Sequence, residues 1–303
     1  MTPERPALSI SVDVEDWPQS TLDPSLPLGD ACADTTRRLL DLLAESPGSR
    51  ATFFVLGLFA ERHPKVVDEI RQAGHEIGSH GYGHVDLFRL TPVTFAEDVN
   101  HSVEVIGAAC GVRPRGYRAP DFSVVGESLW ALDALAEAGF DYDSSIFPIA
   151  KARYGIPQWP RGAARVLLKS GGTIVEMPIA TLAWRGRRLP VGGGGYARLI
   201  PGPLLVRALR RACAQMSSPP VFYCHPYEMD PGEFRRLPFS VPLKVRLHQG
   251  LGRRGIPSKL RRIFRDFEAV SLGEALARTS GMPTIDYGPF VLEPGAVDRP
   301  QPV

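Results

Sequence analysis

"ALSISVDVEDW", residues 7–17, sets Leu8, Ile10, Val12 and Val14 against Ser9, Ser11, Asp13 and Glu15. Successive side chains of an extended chain point to opposite faces, so this period of two predicts a strand with one apolar face and one polar face that ends in carboxylates. Outward from it the period changes. "ACADTTRRLLDLLAE" (31–45) reads as an amphipathic helix, and "ATFFVLG" (51–57) as a short buried strand. "HPKVVDEIRQAG" (63–74) is a helix opened by Pro64 in its first turn and closed by Gly74. A strand follows at "HEIGS" (75–79), a helix over 91–110, a short strand in "RGYRAP" (115–120), a helix over 126–139 and extended chain in "FDYDSS" (140–145). Strands are also expected in "GGTIVEMPI" (171–179) and "PPVFYCHPYE" (219–228), and a last strand and helix in "FEAVSLGEALART" (267–279).

Short strands alternating with helices through short turns describe β/α units around a parallel sheet or barrel. In such folds the chemistry collects where the carboxyl ends of the strands meet the loops. Asp13, His80, Arg118 and His225 each fall at or just beyond the end of an expected strand. The composition fits one large core, with 303 residues of which 44% are hydrophobic and 22% charged. No apolar run approaches the ~18 residues of a membrane span, and acids stand where a signal peptide would have its apolar centre, so a cytoplasmic protein is expected. Cys32, Cys110, Cys213 and Cys224 are far apart and form no CxxC pair, which predicts free buried thiols. A net charge of +2 gives no reason to expect nucleic acid as a partner.

In "EIGSHGYGHVDL" (76–87), His80 and His84 stand four apart, with Gly81 and Gly83 between them. The glycines favour a tight turn after the "HEIGS" strand over a helix, and such a turn lets both imidazoles converge on a divalent metal. An isolated pair at this spacing more often caps a loop. The "DVED" cluster alters that balance: Asp13, Glu15 and Asp16 repel one another at a strand end unless a cation offsets them. "RAPDF" adds Arg118, a fixed cation able to orient a carboxylate, with Pro120 holding the backbone beside Phe122. "VFYCHPYE" ends an apolar strand on His225, whose ordinary pKa near neutrality suits a general acid.

Taken together and in this order, "SVDVED", "HGYGH", "RAPDF" and "FYCH" resemble the motifs of the polysaccharide deacetylase family, also called the NodB-homology or carbohydrate esterase family 4 proteins. The resemblance spans roughly residues 8 to 230. Further phrases, "YDSSIFP", "YGIPQWPR", "VGGGGYARLIP" and "FYCHPYEMDPGE", resemble the subgroup linked to exopolysaccharide biosynthesis. The resemblance implies a distorted (β/α) barrel of about seven strands over residues 1–283, and the prolines from Thr284 on, Pro289, Pro294, Pro300 and Pro302, read as a tail over 284–303 that is a surface wrap or disordered. It implies Asp13 as base, His80 and His84 as metal ligands, His225 as acid, Arg118 orienting Asp13, and the Phe122 N–H holding an oxyanion. The cofactor implied is a divalent metal, zinc above all, with cobalt, manganese or nickel as substitutes, and the substrate is an N-acetylated glycan. Two departures stand out. Val14 follows Asp13 where most members have a second aspartate, leaving the metal carboxylate as Glu15 or Asp16. The family's Asp-x-x-Asp-Trp motif, whose aspartate tunes the acid histidine, has no clear match, and Asp133, Asp143 and Glu228 are the replacements considered.

Other features are less specific. Trp159, Trp184, Tyr196 and Tyr227 could stack on sugar rings, although large aromatics near a barrel mouth are more often packing. "VGGGGY" (191–196) lacks a GKS/T continuation and a following helix, so it reads as a flexible lid and not a phosphate loop. From Lys244 to Arg265 the chain carries eight Lys and Arg and no acid, either a solvated face or a patch for an anionic lipid or membrane surface. Two further functional classes remain compatible with the sequence: an allantoinase-like hydrolase of non-sugar C–N bonds, and a catalytically degraded carbohydrate-binding relic.

Overall fold

The first strand, β1 (Ala7–Val14), is buried on both faces in the computed structural model, which describes residues 5–293 and 295 apart from 24 and 152. Leu8, Ile10, Val12 and Val14 join an apolar cluster with Leu39, Leu42 and Leu43 of the helix Ala31–Ala44 and with Val67 and Ile70 of the helix Pro64–Gln72. The opposite face, with Ser9, Ser11 and Asp13, is also shielded from solvent because it points into the interior of a closed sheet.

Eleven further strands follow: β2 (Thr52–Val55), β3 (Glu76–Ser79), β4 (Gly116–Tyr117), β5 (Tyr142–Asp143), β6 (Ala164–Leu167), β7 (Thr173–Glu176), β8 (Thr181–Trp184), β9 (Arg187–Pro190), β10 (Val221–Cys224), β11 (Glu268–Val270) and β12 (Thr284–Asp286). The main sheet runs β10-β1-β2-β3-β4-β5-β7-β6-β12, with β11 also on β1, and every pairing in it is parallel except β6 with β7. A parallel bridge between Ile179, just past β7, and Val221 of β10 brings the two sides together. The result is a distorted (β/α) barrel with its helices outside, and β8 and β9 form a separate antiparallel hairpin.

The expected β/α alternation is present from β1 to the helix Pro92–Cys110, whose N-cap Thr91 forms a capping box with Thr94. Elements the sequence left unmarked are the helices Gly57–Arg62, Gly194–Leu199, Gly202–Cys213, Leu243–Gly250 and Ile256–Asp266, together with β6, β8, β9 and β12. One expectation needs correction. The "VGGGGY" segment is wall, not lid: Gly193 bridges to Tyr223 with φ +127, and a Cβ there would lie 1.8 Å from the Tyr223 carbonyl oxygen. A short helix also opens within it, at Gly194. Residues 284–293 wrap the barrel: β12 pairs with β6, Tyr287 is buried and donates to Asp133, and the Phe290 ring lies 4.9 Å from Trp159. Pro294, Pro300 and Pro302 lie outside the described residues. All four cysteines are free. No helix among the described residues is long and apolar enough to cross a membrane.

Candidate active site

Asp13, His80, Arg118 and His225 stand at the carboxyl ends of β1, β3, β4 and β10, on one rim of the barrel. The His80 N–H continues the sheet ladder onto the Val55 carbonyl at 2.9 Å. Its Nδ1 lies 2.7 Å from the Arg118 carbonyl oxygen, which can only accept, so Nδ1 carries the proton and Nε2 is left as a lone-pair donor. The chain then reverses. Gly81 takes φ +75, the Gly81 and Tyr82 carbonyls accept the Gly57 and Leu58 N–H groups, and Asp98 accepts the Tyr82 N–H at 3.0 Å. His84 sits at φ +58, a backbone conformation rare outside glycine, and Asp121 and Phe122 share it at φ +53. Three of the four such non-glycine residues among the described ones therefore line one cleft, where over-determined local strain concentrates in folded proteins.

Glu15 completes the cluster. Its Oε2 lies 2.6 Å from His84 Nε2 and 3.4 Å from His80 Nε2, and one donor atom from each of the three buried residues falls within 4.8 Å of the others. Burial opposes the Glu15 charge, but His84 and His80 outweigh it and hold the carboxyl well below its usual range. His84 feels the reverse: burial lowers it, Glu15 raises it, and its pKa is pushed up to about 9. Its proton occupies the gap that a divalent cation would take, and must leave before the ring can donate its lone pair. Two imidazoles and a carboxylate converging in a buried pocket are a donor set suited to such a cation. Asp16 is not part of it. Its carboxylate accepts the Gly29 N–H at 2.6 Å on the far side of the chain, because Asp13 and Glu15 share a face and the next residue points away.

Asp13 is held from below. Its Oδ1 is 2.7 Å from Nη1 of Arg118, a wholly buried guanidinium lying 4.3 Å over the Phe54 ring. Arg118 also donates to Ser11 Oγ at 2.7 Å and to the carbonyl and hydroxyl oxygens of Ser144 at 2.9 and 2.8 Å, so its orientation is fixed at every donor edge. Beneath Ser144 sit Asp143 and Glu176, both fully buried; Asp143 Oδ1 accepts from the Ser145 hydroxyl at 2.5 Å and Glu176 Oε1 from the Ile146 N–H at 3.0 Å. Their remaining oxygens, Asp143 Oδ2 and Glu176 Oε2, meet no N–H or O–H donor, a need that one shared proton satisfies. Burial and the Asp143 charge push Glu176 well above the usual carboxylate range.

His225 faces this pair from β10, with Nε2 4.0 Å from Asp13 Oδ2 and 3.6 Å from Glu15 Oε1. Glu228 sits behind it: Oε2 is 3.5 Å from Nδ1 and accepts the His225 N–H at 3.1 Å, while Oε1 is 3.5 Å from Nε of Arg198. Burial lowers the His225 pKa, but Glu228, Glu15 and Asp13 together raise it above its ordinary value. Of the three acids considered for this place, Asp133 instead accepts from Tyr287 and Ser170, and Asp143 pairs with Glu176.

These groups open on a cleft of about 490 Å³. Tyr196 and Tyr227 line it, and the Tyr227 ring stacks on His225 at 4.6 Å. Trp159 does not: it is fully buried under Phe290, which the sequence could not show because the covering segment lies more than a hundred residues away. Pro120 is buried behind the wall formed by Ala119, Asp121 and Phe122. The Phe122 ring lines the cleft, but its N–H donates to the Ala119 carbonyl at 3.2 Å and is not free for an oxyanion. The Asp121 N–H has no acceptor among the described residues. Sequence reading also missed Arg153, which bonds Asp86 at 3.1 Å and Asp121 at 2.7 Å on the cleft wall.

Comparison with known proteins agrees with this geometry. The family model described as polysaccharide deacetylase matches residues 21–142, and one described as a domain of unknown function, DUF3473, matches 144–277. The two meet inside the barrel, and the second contributes His225 and Glu228 to the same cleft and Ser144 beneath Arg118. A peptidoglycan-N-acetylglucosamine deacetylase of Bacillus cereus is 31% identical over 99 residues, 32% of this chain and 36% of that protein, so the chain spans about a third of the curated relative it matches. A provisionally named polysaccharide deacetylase from Mycobacterium smegmatis superposes with a TM-score of 0.61 at 21% identity, covering 94% of this chain and 96% of that one. A carbohydrate esterase family 4 pseudoenzyme from Bacillus anthracis superposes at 0.50 with 11% identity, over 94% of this chain and 70% of its own. Identities this low speak for the fold alone. With the four motifs in order on one barrel rim, the chain belongs to the polysaccharide deacetylase family.

Proposed function

We propose that the protein is a metal-dependent hydrolase that removes N-acetyl groups from an amino-sugar-containing polysaccharide or glycan precursor. One observation carries the reading: the Glu15–His80–His84 donor set, the Arg118–Asp13 pair and the Glu228–His225 pair all face a single cleft. Glu15, His80 and His84 would hold the cation, which when bound polarises an amide carbonyl and acidifies a water; zinc, cobalt, manganese and nickel all suit the donors. Asp13, oriented by Arg118, takes the proton from the attacking water. The Asp121 N–H is the donor we assign to the developing oxyanion, in place of Phe122. His225, kept protonated by Glu228, delivers a proton to the leaving amine, so that acetate and a free amino sugar result. We assign the glycan to exopolysaccharide biosynthesis from the "YGIPQWPR" and "VGGGGYARLIP" phrases.

Zinc-loaded protein given N-acetylated chitooligosaccharides should release acetate. His80→Ala should lose stoichiometric metal and activity together, whereas His225→Ala should keep the metal and lose about 10²–10⁴ in kcat. Cleavage of allantoin-type amides without acetate release would favour the non-sugar hydrolase, and a wild-type protein that binds no stoichiometric metal would favour the binding relic.

A further inference from the structure

The basic run from Lys244 to Arg265 divides in two in the folded protein. Arg253 is fully buried on Glu233, Arg261 pairs with Glu45, Lys259 caps the Ala197 and Arg198 carbonyls, and Arg265 meets Asp266. Lys244, Arg246 and Arg254 are exposed, with no carboxylate partner among the described residues. They frame the helix Leu243–Gly250, which buries no residue. Val245 on its underside packs against the Trp17, Tyr227 and Val241 cluster. Leu243 and Leu247, four apart on the other side, are 69% and 57% exposed, and Leu251 follows at 59%. Leu199, 63% exposed, joins them because Arg198 donates to the Gln249 carbonyl at 2.7 Å. Leu199 and Leu251 stand at the mouth of the cleft.

We propose that this rim is a docking surface for an anionic phospholipid bilayer. Interleaved leucines and unpaired cations on one outward face need a partner that offers apolar depth and negative charge together, which describes the headgroup–acyl boundary of such a membrane. A glycan cannot bury the leucines. A second copy of this chain would set Lys244, Arg246 and Arg254 against their own images in a two-fold contact, an arrangement of like charges. The docking stands apart from the deacetylase reading; resting on that reading is only the corollary that the cleft mouth meets a glycan carried at the membrane surface.

The test is sedimentation of the full chain with vesicles of phosphatidylcholine alone and of phosphatidylcholine mixed with phosphatidylglycerol, at low and high salt. Binding to the mixed vesicles only, weakened by salt, is expected. K244Q/R246Q/R254Q should reduce it by about 100-fold and L243Q/L247Q by about tenfold, with melting curves unchanged. Turnover of soluble oligosaccharide by L243Q/L247Q should match wild type, which separates this test from that of the deacetylase activity. Absence of sedimentation, sedimentation indifferent to L243Q/L247Q, or a wild-type dimer that L243Q/L247Q converts to monomer would each overturn the proposal.

Discussion

Glu228 reaches His225 twice, through the backbone N–H and toward the imidazole Nδ1. Glu228→Gln keeps the first contact and removes the charge that favours the imidazolium, so kcat should fall about 10- to 100-fold while metal content stays at the wild-type level. Glu176 offers a second prediction, with its sign fixed by linkage. Its folded pKa lies well above the unfolded one, so the folded protein keeps a proton that the unfolded chain releases as pH rises past about 4.5. The stabilisation is therefore complete below that pH and declines as pH climbs toward the folded pKa. Glu176→Gln, which stays neutral and can donate to Asp143, should melt higher than wild type at pH 8 and show no gain at pH 4. At this scale Asp13, His80, His84, Arg118 and His225 are legible, because each lies at or shortly beyond the end of a strand that can be read. Glu15 and Asp16 could not be separated from sequence, since which way the chain turns beyond β1 is decided by the Gly29 N–H. Glu228 was one of three candidates for the same reason: only the turn after β10 brings it under the histidine.

Among elements, the passage from Val191 to Gly193 carries the sharpest packing constraint. Gly193 lies directly on Tyr223, the residue two before His225, so any side chain there pushes on β10 and through it on the acid. Gly193→Ala should cost about 3 kcal/mol or more in urea unfolding, from steric overlap added to a disfavoured φ. Long helices and the strands between them were legible because an apolar stripe or an alternating run announces each. β6 and β12 were not. "ARVL" and "TID" are too short to show a period: β6 becomes a strand by pairing with β7 and β12, and β12 by pairing Thr284, Ile285 and Asp286 with Arg165, Val166 and Leu167. The helix Leu243–Gly250 was hidden for another reason: with its leucines outside, it lacks the inward stripe by which a globular helix is recognised.

For the whole molecule, residues 284–293 belong to the barrel. Ending the chain at Pro283 removes β12, the buried Tyr287 and the Phe290 cover of Trp159. Such a chain should lose about 3–5 kcal/mol of stability, comparable to deleting a large buried aromatic, and Trp159 emission should shift to the red. The two family models also divide what the fold unites, with one half holding the histidine pair and the other the acid and its carboxylate. Neither half closes the ring alone, since β2 to β5 form one arc of it and β7, β6 and β10 belong to the other.

Arg118 ties these halves together in a way that bears on variation within the site. Its carbonyl fixes the His80 ring and its guanidinium fixes Asp13, so the separation between that imidazole and that carboxylate is set by the covalent reach of one side chain. Thermal motion or a distant substitution can then shift the two only in concert. The reacting geometry is gauged from within a single residue, and selection has one ruler to maintain where two independent supports would each need tuning.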